Sequence, residues 1–362
     1  MKTGLRRIAS AVLLMSALAV PSYGWGNGGH MAVAYVAYRN LMPPVRDRVD
    51  ALIKLNPNYH DWMTLIPPNT SPDDQKLMLF MIAATWPDQI KDAHHIPAYT
   101  ADGPKEFKGD RPPNDGTAGQ NIGYTDLAMH KYWHFIDEPF SQDGTATQDP
   151  TVPNAETQIA VFRTTLSSDS PDGLKSYDLV WLLHLLGDVH QPLHCISRFS
   201  HAGPNGDSGG NDVHVCDVKP HASTRAKAAT RTQTKIKVNS GTKTKAGTKA
   251  KTGTKASAQC KEALHAFWDD LFGTSSDPGL AMTIGKDLPA ASADLAGDLT
   301  PADWIQESSG DAPKVYLNPP IGPGDGPFQL TTTYHSAALS LSRERIALAG
   351  ARLANVLNQE LK

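Results

Sequence analysis

Cysteine is scarce, convincing β-alternation is scarcer, and beyond the first two dozen residues no apolar run approaches the roughly 20 residues of a membrane-spanning helix. Each absence excludes something. Three cysteines in 362 residues, Cys195, Cys216 and Cys260, rule out a disulfide-framed scaffold and allow at most one intrachain bridge. Cys216 and Cys260 flank an unusual insertion and are the favoured pair, leaving Cys195 as a free thiol; three unpaired buried cysteines are the alternative reading. With no later apolar run, no transmembrane segment is expected. With little strand alternation, the fold is expected to be mostly α, one all-helical domain with long Pro/Gly-rich loops and room for one short hairpin.

The first 24 residues hold a basic stretch (Lys2, Arg6, Arg7), an apolar run from Ala11 to Val20 and small residues at Ser22 and Gly24. This pattern predicts a secretory signal peptide at 1–24, a secreted or periplasmic destination, and Trp25 as the first residue of the mature chain. Residues 25–362 are the expected catalytic body. Its one interruption runs from Lys219 to Lys261, rich in Lys, Thr, Ala, Ser and Gly, with twelve Lys and Arg and no Asp or Glu. Such a segment has too little apolar surface to repay its ordering entropy and reads as a disordered basic loop at about 219–259. The formal charge of −3 becomes −6 without the three cations of the leader and −18 without the twelve of the loop, so the folded body is acidic. The loop suits contact with a polyanion, or is a tolerated insertion.

Helical periodicity marks Met31–Leu41, Ser71–Thr85, Tyr124–Phe135, Glu156–Ser167, Ser176–His190, Lys261–Phe272 and Tyr334–Leu361. Val213–Val218 is the best strand candidate. Pro97–Gly123 and Pro301–Phe328 read as Pro/Gly-rich loops.

The chemistry concentrates in Trp181–His194. His184 and Asp188 are four apart and share one helix face. Pro192 should end or kink the helix and bring His194 to the same pocket, with His190 beside the site or on the helix surface. A second His/Asp pair at the same spacing is His265 and Asp269, a pattern that is also common on plain surfaces. Asp88 follows Pro87, where a turn carboxylate is the bland reading, and His134 sits among aromatics, where a satisfied core histidine is the bland reading. Imidazole and carboxylate without paired thiolates suit zinc, and the histidine count argues against magnesium.

Taken together these pieces resemble the trinuclear-zinc nucleases typified by the fungal nucleases S-one and P-one, of the phospholipase C/P-one nuclease superfamily. The motifs are Trp25-Gly-Asn-Gly-Gly-His30, Trp86-Pro87-Asp88, His134-Phe135-Ile136-Asp137, the His184–His194 block, Gly209-Gly210-Asn211, His265 with Asp269, and Ala349-Gly350-Ala351-Arg352-Leu353-Ala354. The resemblance implies three Zn²⁺ ions: one on Asp88, His134, His184 and Asp188, a second on His194, His265 and Asp269, and a third on His30, a bridging Asp188, and the amine and carbonyl of Trp25. It implies Asp88 as the residue orienting the attacking hydroxide, and Phe135, Asp137 and Asn211 as substrate contacts. The family's phosphate-holding arginine is here Lys91, which keeps the charge and loses the bidentate fork. The implied activity is endonucleolytic cleavage of single-stranded DNA and RNA, and of nucleotides, by a monomer giving 5′-phosphates, with 3′-nucleotidase activity as an extension. The rival within the superfamily is a secreted zinc phospholipase C; the rival outside catalysis is a binder that keeps zinc for folding.

Overall fold

The structure, a computed structural model, describes residues 25–91, 96–107, 109–216 and 260–362. The expected leader at 1–24 and the basic stretch at 219–259 lie outside the described residues. The fold is mostly helical, as expected. In chain order the helices are α1 (Asn27–Arg39), α2 (Pro43–Ile53), α3 (Tyr59–Thr64), α4 (Pro72–Ala83), α5 (Trp86–Ile90), α6 (Ala155–Ser167) and α7 (Asp172–Asp188). After the insertion come α8 (Leu264–Asp269), α9 (Pro278–Lys286), α10 (Ala293–Gly297), α11 (Pro301–Ser309), α12 (Ala312–Val315) and α13 (Thr332–Glu360). Among the described residues no helix is long and apolar enough to cross a membrane.

Helix α7 is the axis. Every residue from Ser176 to Asp188 is buried, as a helix that is apolar all round should be. Around it pack α6, α13, α2, α1 and α5, while α1 also lies against α13, α9 and α4. Local chemistry sets the helix starts. Ser71 accepts from the Asp74 amide ahead of Pro72 at the first turn of α4, Asn154 and Thr157 form a reciprocal capping box on α6, and Thr331 caps α13 through the Tyr334 amide.

Asp178, on α7, is buried with Asn121 Nδ2 at 2.6 Å from one oxygen, and its other oxygen has no hydrogen-bond partner. Burial pushes its carboxyl up to about 7. The unfolded chain therefore releases this proton at lower pH than the folded one, so the group costs stability progressively from about pH 4 to 7 and by a constant amount above. Asp178→Asn is expected to raise the melting temperature by roughly 4 °C at pH 8 and by far less at pH 4, as read by calorimetry.

Strands are short. β1 (Pro139–Ser141) runs parallel to β2 (Ser197–Phe199), and β3 (His214–Cys216) sits between an antiparallel β4 (Glu262–Ala263) and a parallel β5 (Phe328–Gln329). The β3–β4 pair brackets the insertion, and the Cys216–Cys260 disulfide closes that neck with Cα atoms 4.4 Å apart. Cys195 is a buried free thiol. Under this sheet lies a second apolar cluster, including Leu193, Val215, Leu264, Trp268, Tyr316 and Tyr334.

Three expectations need correction. Tyr124–Phe135 is not an α-helix but two 3₁₀ turns, Gly123–Thr125 and Lys131–Trp133, because His130 takes a left-handed φ of 43° and tertiary contacts claim its neighbours. His130 lies flat on Trp133 at 3.6 Å, with Nε2 2.7 Å from Asp126 and its amide donating to Asp102, and the Trp133 indole donates to the Ala118 carbonyl. Pro301–Phe328 is not all loop, since Pro301 opens α11 at a position where its missing N–H costs nothing. Lys261–Phe272 begins as strand and turns helical only at Leu264.

Candidate metal centre

Five segments converge on the buried end of α7. His184 and Asp188 stand one turn apart on it, both fully buried. His30 comes from α1 and stacks on His184 with ring centroids 3.8 Å apart. Asp88 comes from α5, and His134 follows the Lys131–Trp133 turn. His184 Nε2 lies 3.0 Å from His134 Nδ1, 3.2 Å from Asp188 Oδ2 and 3.4 Å from Asp88 Oδ1. Asp188 works on both sides: Oδ2 is 3.0 Å from His134 Nδ1, while Oδ1 is 3.4 Å from His30 Nε2 and 3.9 Å from His194 Nδ1.

The helix ends at Asp188, before Pro192, which opens a 3₁₀ turn instead of kinking the helix. That reversal delivers His194 to His265 and Asp269 on α8, with the two Nε2 atoms 3.1 Å apart and Asp269 Oδ2 3.4 Å from His265 Nε2. The chain thus assembles three groups whose ligating atoms lie within 4.8 Å of one another: His30, His184 and Asp188; Asp88, His134 and His184; His194, His265 and Asp269. His184 reaches both of the first two groups, where the resemblance assigned it to one. Trp25 is buried beside them, its ring edge-on to Phe272. His190 is not in the pocket: it is buried in the core, with Nε2 3.0 Å from Arg352.

The donor set fits a cation. His184, His194 and His265 each donate Nδ1–H to a backbone carbonyl, those of Ala84, His134 and Gly209, at 2.7–2.8 Å. In the neutral ring this fixes the tautomer and leaves Nε2 with its lone pair. Two such lone pairs facing each other at 3.1 Å, between His194 and His265, repel unless a positive charge lies between them. Asp188 Oδ1, Asp269 Oδ2 and His30 Nε2 are buried without hydrogen-bond partners, which is costly for atoms with no other role. Three imidazole-carboxylate clusters without thiolate match zinc chemistry.

The electrostatics agree. Burial alone would raise the Asp88 carboxyl, but Lys91 and His184 beside it hold it well below the usual carboxylate range. Burial and then Lys91 push the His134 imidazole down to about 3, ready to ligate. Burial opposes protonation of His184, but Asp188 and Asp88 win and carry it up to about 10, so a metal cation binding there displaces a proton.

Sequence reasoning missed Gly187. A Cβ there would sit 2.7 Å from His30 Nδ1 and 3.6 Å from the Trp25 ring, so only glycine lets α7 approach His30. The available signal was a glycine inside a strongly helical run, which costs about 1 kcal/mol against alanine and asks for a reason. Gly209 is similar: at φ 62° its added Cβ would lie 2.4 Å from the Leu193 carbonyl, in the turn whose own carbonyl orients His265.

On the substrate side, Lys91 is buried with Nζ 2.7 Å from Asp88 Oδ1. Phe135 is half-buried, packed on the main core directly after His134. Burial, then Asp207, pushes the Asp137 carboxyl up to about 7, so near neutral pH it both donates and accepts. Asn211 is half-buried after the Gly209–Gly210 turn, its Nδ2 donating to the Ser208 carbonyl.

Residues 25–223, which hold seven of the nine expected ligands and stop short of His265 and Asp269, match the S1/P1 Nuclease family model. Nuclease S1 of Aspergillus oryzae is 28% identical over 205 residues, covering 55% of this chain and 51% of that protein, so the match spans about half the length of the curated relative. With more than half of the chain inside the family match, and with the clustered His and Asp side chains described above, the chain belongs to the S1/P1 nuclease family.

Proposed function

We propose that this chain is an exported, zinc-dependent endonuclease that cleaves single-stranded DNA and RNA to 5′-phosphate products, with 3′-nucleotidase activity on mononucleotides. The observation that carries the zinc reading is the facing pair of carbonyl-anchored histidines, His194 and His265, beside an orphaned carboxylate oxygen of Asp269. Asp88, His134, His184 and Asp188 would hold one ion, His194, His265 and Asp269 a second, and His30, Asp188 and the Trp25 amine and carbonyl a third. When bound, zinc lowers the pKa of a water molecule towards neutrality and screens phosphate charge.

The chain's own groups do the rest. Asp88, kept ionised by Lys91, orients the attacking water and aims its oxygen at phosphorus. Lys91 supplies a point charge to a non-bridging phosphate oxygen, without the fork of an arginine, and Asn211 contacts the same phosphate. Phe135 stacks on an unpaired base, and stacking tolerates base identity. Asp137 reads the base edge as donor and acceptor.

The test is hydrolysis by chelator-treated protein after adding back zinc or magnesium, with single-stranded DNA, RNA and phosphatidylcholine as substrates. Zinc-restored cleavage of both nucleic acids is the expected result, and Asp88→Asn should lower it by about 10²–10³-fold, the scale of losing one positioned catalytic group. Release of lipid headgroups without nucleic-acid cleavage would move the same centre to the phospholipase C reading.

A further inference from the structure

Gln191 is fully buried on the reversal between Asp188 and His194. Its amide makes two short contacts: Nε2 donates to Asp269 Oδ1 at 2.7 Å, and Oε1 accepts from the Leu193 amide at 2.6 Å. The Leu193 N–H can only donate, so it settles which end of the amide is oxygen and leaves Nε2 to face Asp269. The two carboxylate oxygens differ as a result: Oδ1 is hydrogen-bonded to Gln191 and lies 3.8 Å from His194 Nε2, and Oδ2, buried without a hydrogen-bond partner, lies 3.4 Å from His265 Nε2.

The reversal is anchored from behind. Arg345 Nε donates to the His190 carbonyl at 3.2 Å, Ser308 Oγ donates to the Val189 carbonyl, and Arg352 donates to His190 Nε2 at 3.0 Å. His190 accepts there because its Nδ1–H is given to the Leu186 carbonyl at 2.7 Å. Arg352, also fully buried, grips Glu307 through both terminal nitrogens at 2.7 and 2.8 Å. The contacts from Arg345, Ser308 and the Arg352–His190 pair land on residues 189–190, next to Gln191.

We propose that Gln191 is a positioning residue of the His194–His265–Asp269 site, holding Asp269 through Oδ1 so that the unpartnered Oδ2 is presented to the ion, on the corner held by Arg345 and Arg352. The proposal rests on the zinc reading above. Groups that orient a ligand in this way contribute about 10–100-fold to metal affinity. The experiment counts zinc per chain by native mass spectrometry for wild type, Gln191→Met and Gln191→Glu across buffered free-zinc concentrations, with melting temperatures in zinc and in EDTA. Gln191→Met removes both contacts; Gln191→Glu keeps the acceptor for Leu193 and replaces the donor to Asp269 with a carboxylate oxygen that repels it.

Wild type is expected to hold three ions. Both variants should hold two at that zinc level and regain the third only at about 10–100-fold higher free zinc, with the thermal gain from zinc reduced. Variants that hold three ions at wild-type affinity overturn the proposal, and equal losses of melting temperature in zinc and EDTA would then assign Gln191 to packing alone. A wild type that holds no zinc defeats the metal reading itself, a result distinct from wild type and variants binding alike.

Discussion

Asp188→Asn is expected to lower phosphodiester hydrolysis by at least about 10³-fold, the upper end of what losing one charge-stabilising group costs an active site, while the fold survives. The carboxylate faces four histidines of the buried centre. Its Oδ2 meets His134 and His184, and its Oδ1 meets His30 and lies within 3.9 Å of His194. Asparagine has the same shape and one oxygen, so packing against the neighbours on α7 is retained, but one lobe becomes an N–H donor that repels a cation. The change also removes the largest charge holding a proton on His184. Activity on single-stranded DNA and zinc content read together check it: both should fall, with the far-ultraviolet circular dichroism unchanged. A variant active within tenfold of wild type contradicts the assignment of Asp188 as the bridging ligand.

Gly187→Ala should separate stability from activity. The added methyl would lie 2.7 Å from His30 Nδ1 and 3.1 Å from its Cε1, and His30 is fully buried, stacked on His184. Overpacking of this kind costs about 1–3 kcal/mol, and replacing a helical glycine by alanine returns about 1 kcal/mol. The net loss of roughly 0–2 kcal/mol amounts to a few degrees of melting temperature. The His30 ring, however, must move by a good fraction of an ångström, and misplacement on that scale costs about 10²-fold in rate. Loss of the ion assigned to His30 with a nearly normal melting curve is the expected outcome. Full activity with three ions bound would show that α7 has room to spare at this position.

What could be read from the sequence was local. His184/Asp188 and His265/Asp269 announce themselves because four residues is one helical turn, and α7 and α8 do carry each pair on one face. The Cys216–Cys260 pairing followed from the insertion between them, and β3 and β4 do meet at that neck. What failed depends on distant partners. Tyr124–Phe135 has helical spacing, yet Asp102, Ala118 and Trp181 pull His130, Tyr132 and Trp133 out of a helix. Pro301 read as the start of a loop, although it opens a helix. β5 is two residues long and pairs with Val215 across more than a hundred residues, leaving no alternation to detect. Gly187 and Gln191 matter through contacts to His30 on α1 and Asp269 on α8, and Arg352 through contacts to α10, α11 and the turn after α7.

The most direct test of the account is product analysis. Wild type and Asp88→Asn would be incubated with a 3′-labelled single-stranded oligonucleotide at limiting zinc, and the new termini identified by mass spectrometry. The account predicts 5′-phosphate termini that appear in proportion to zinc bound and are nearly absent with Asp88→Asn. Cleavage leaving 3′-phosphates, or undiminished cleavage by zinc-stripped protein, would contradict it.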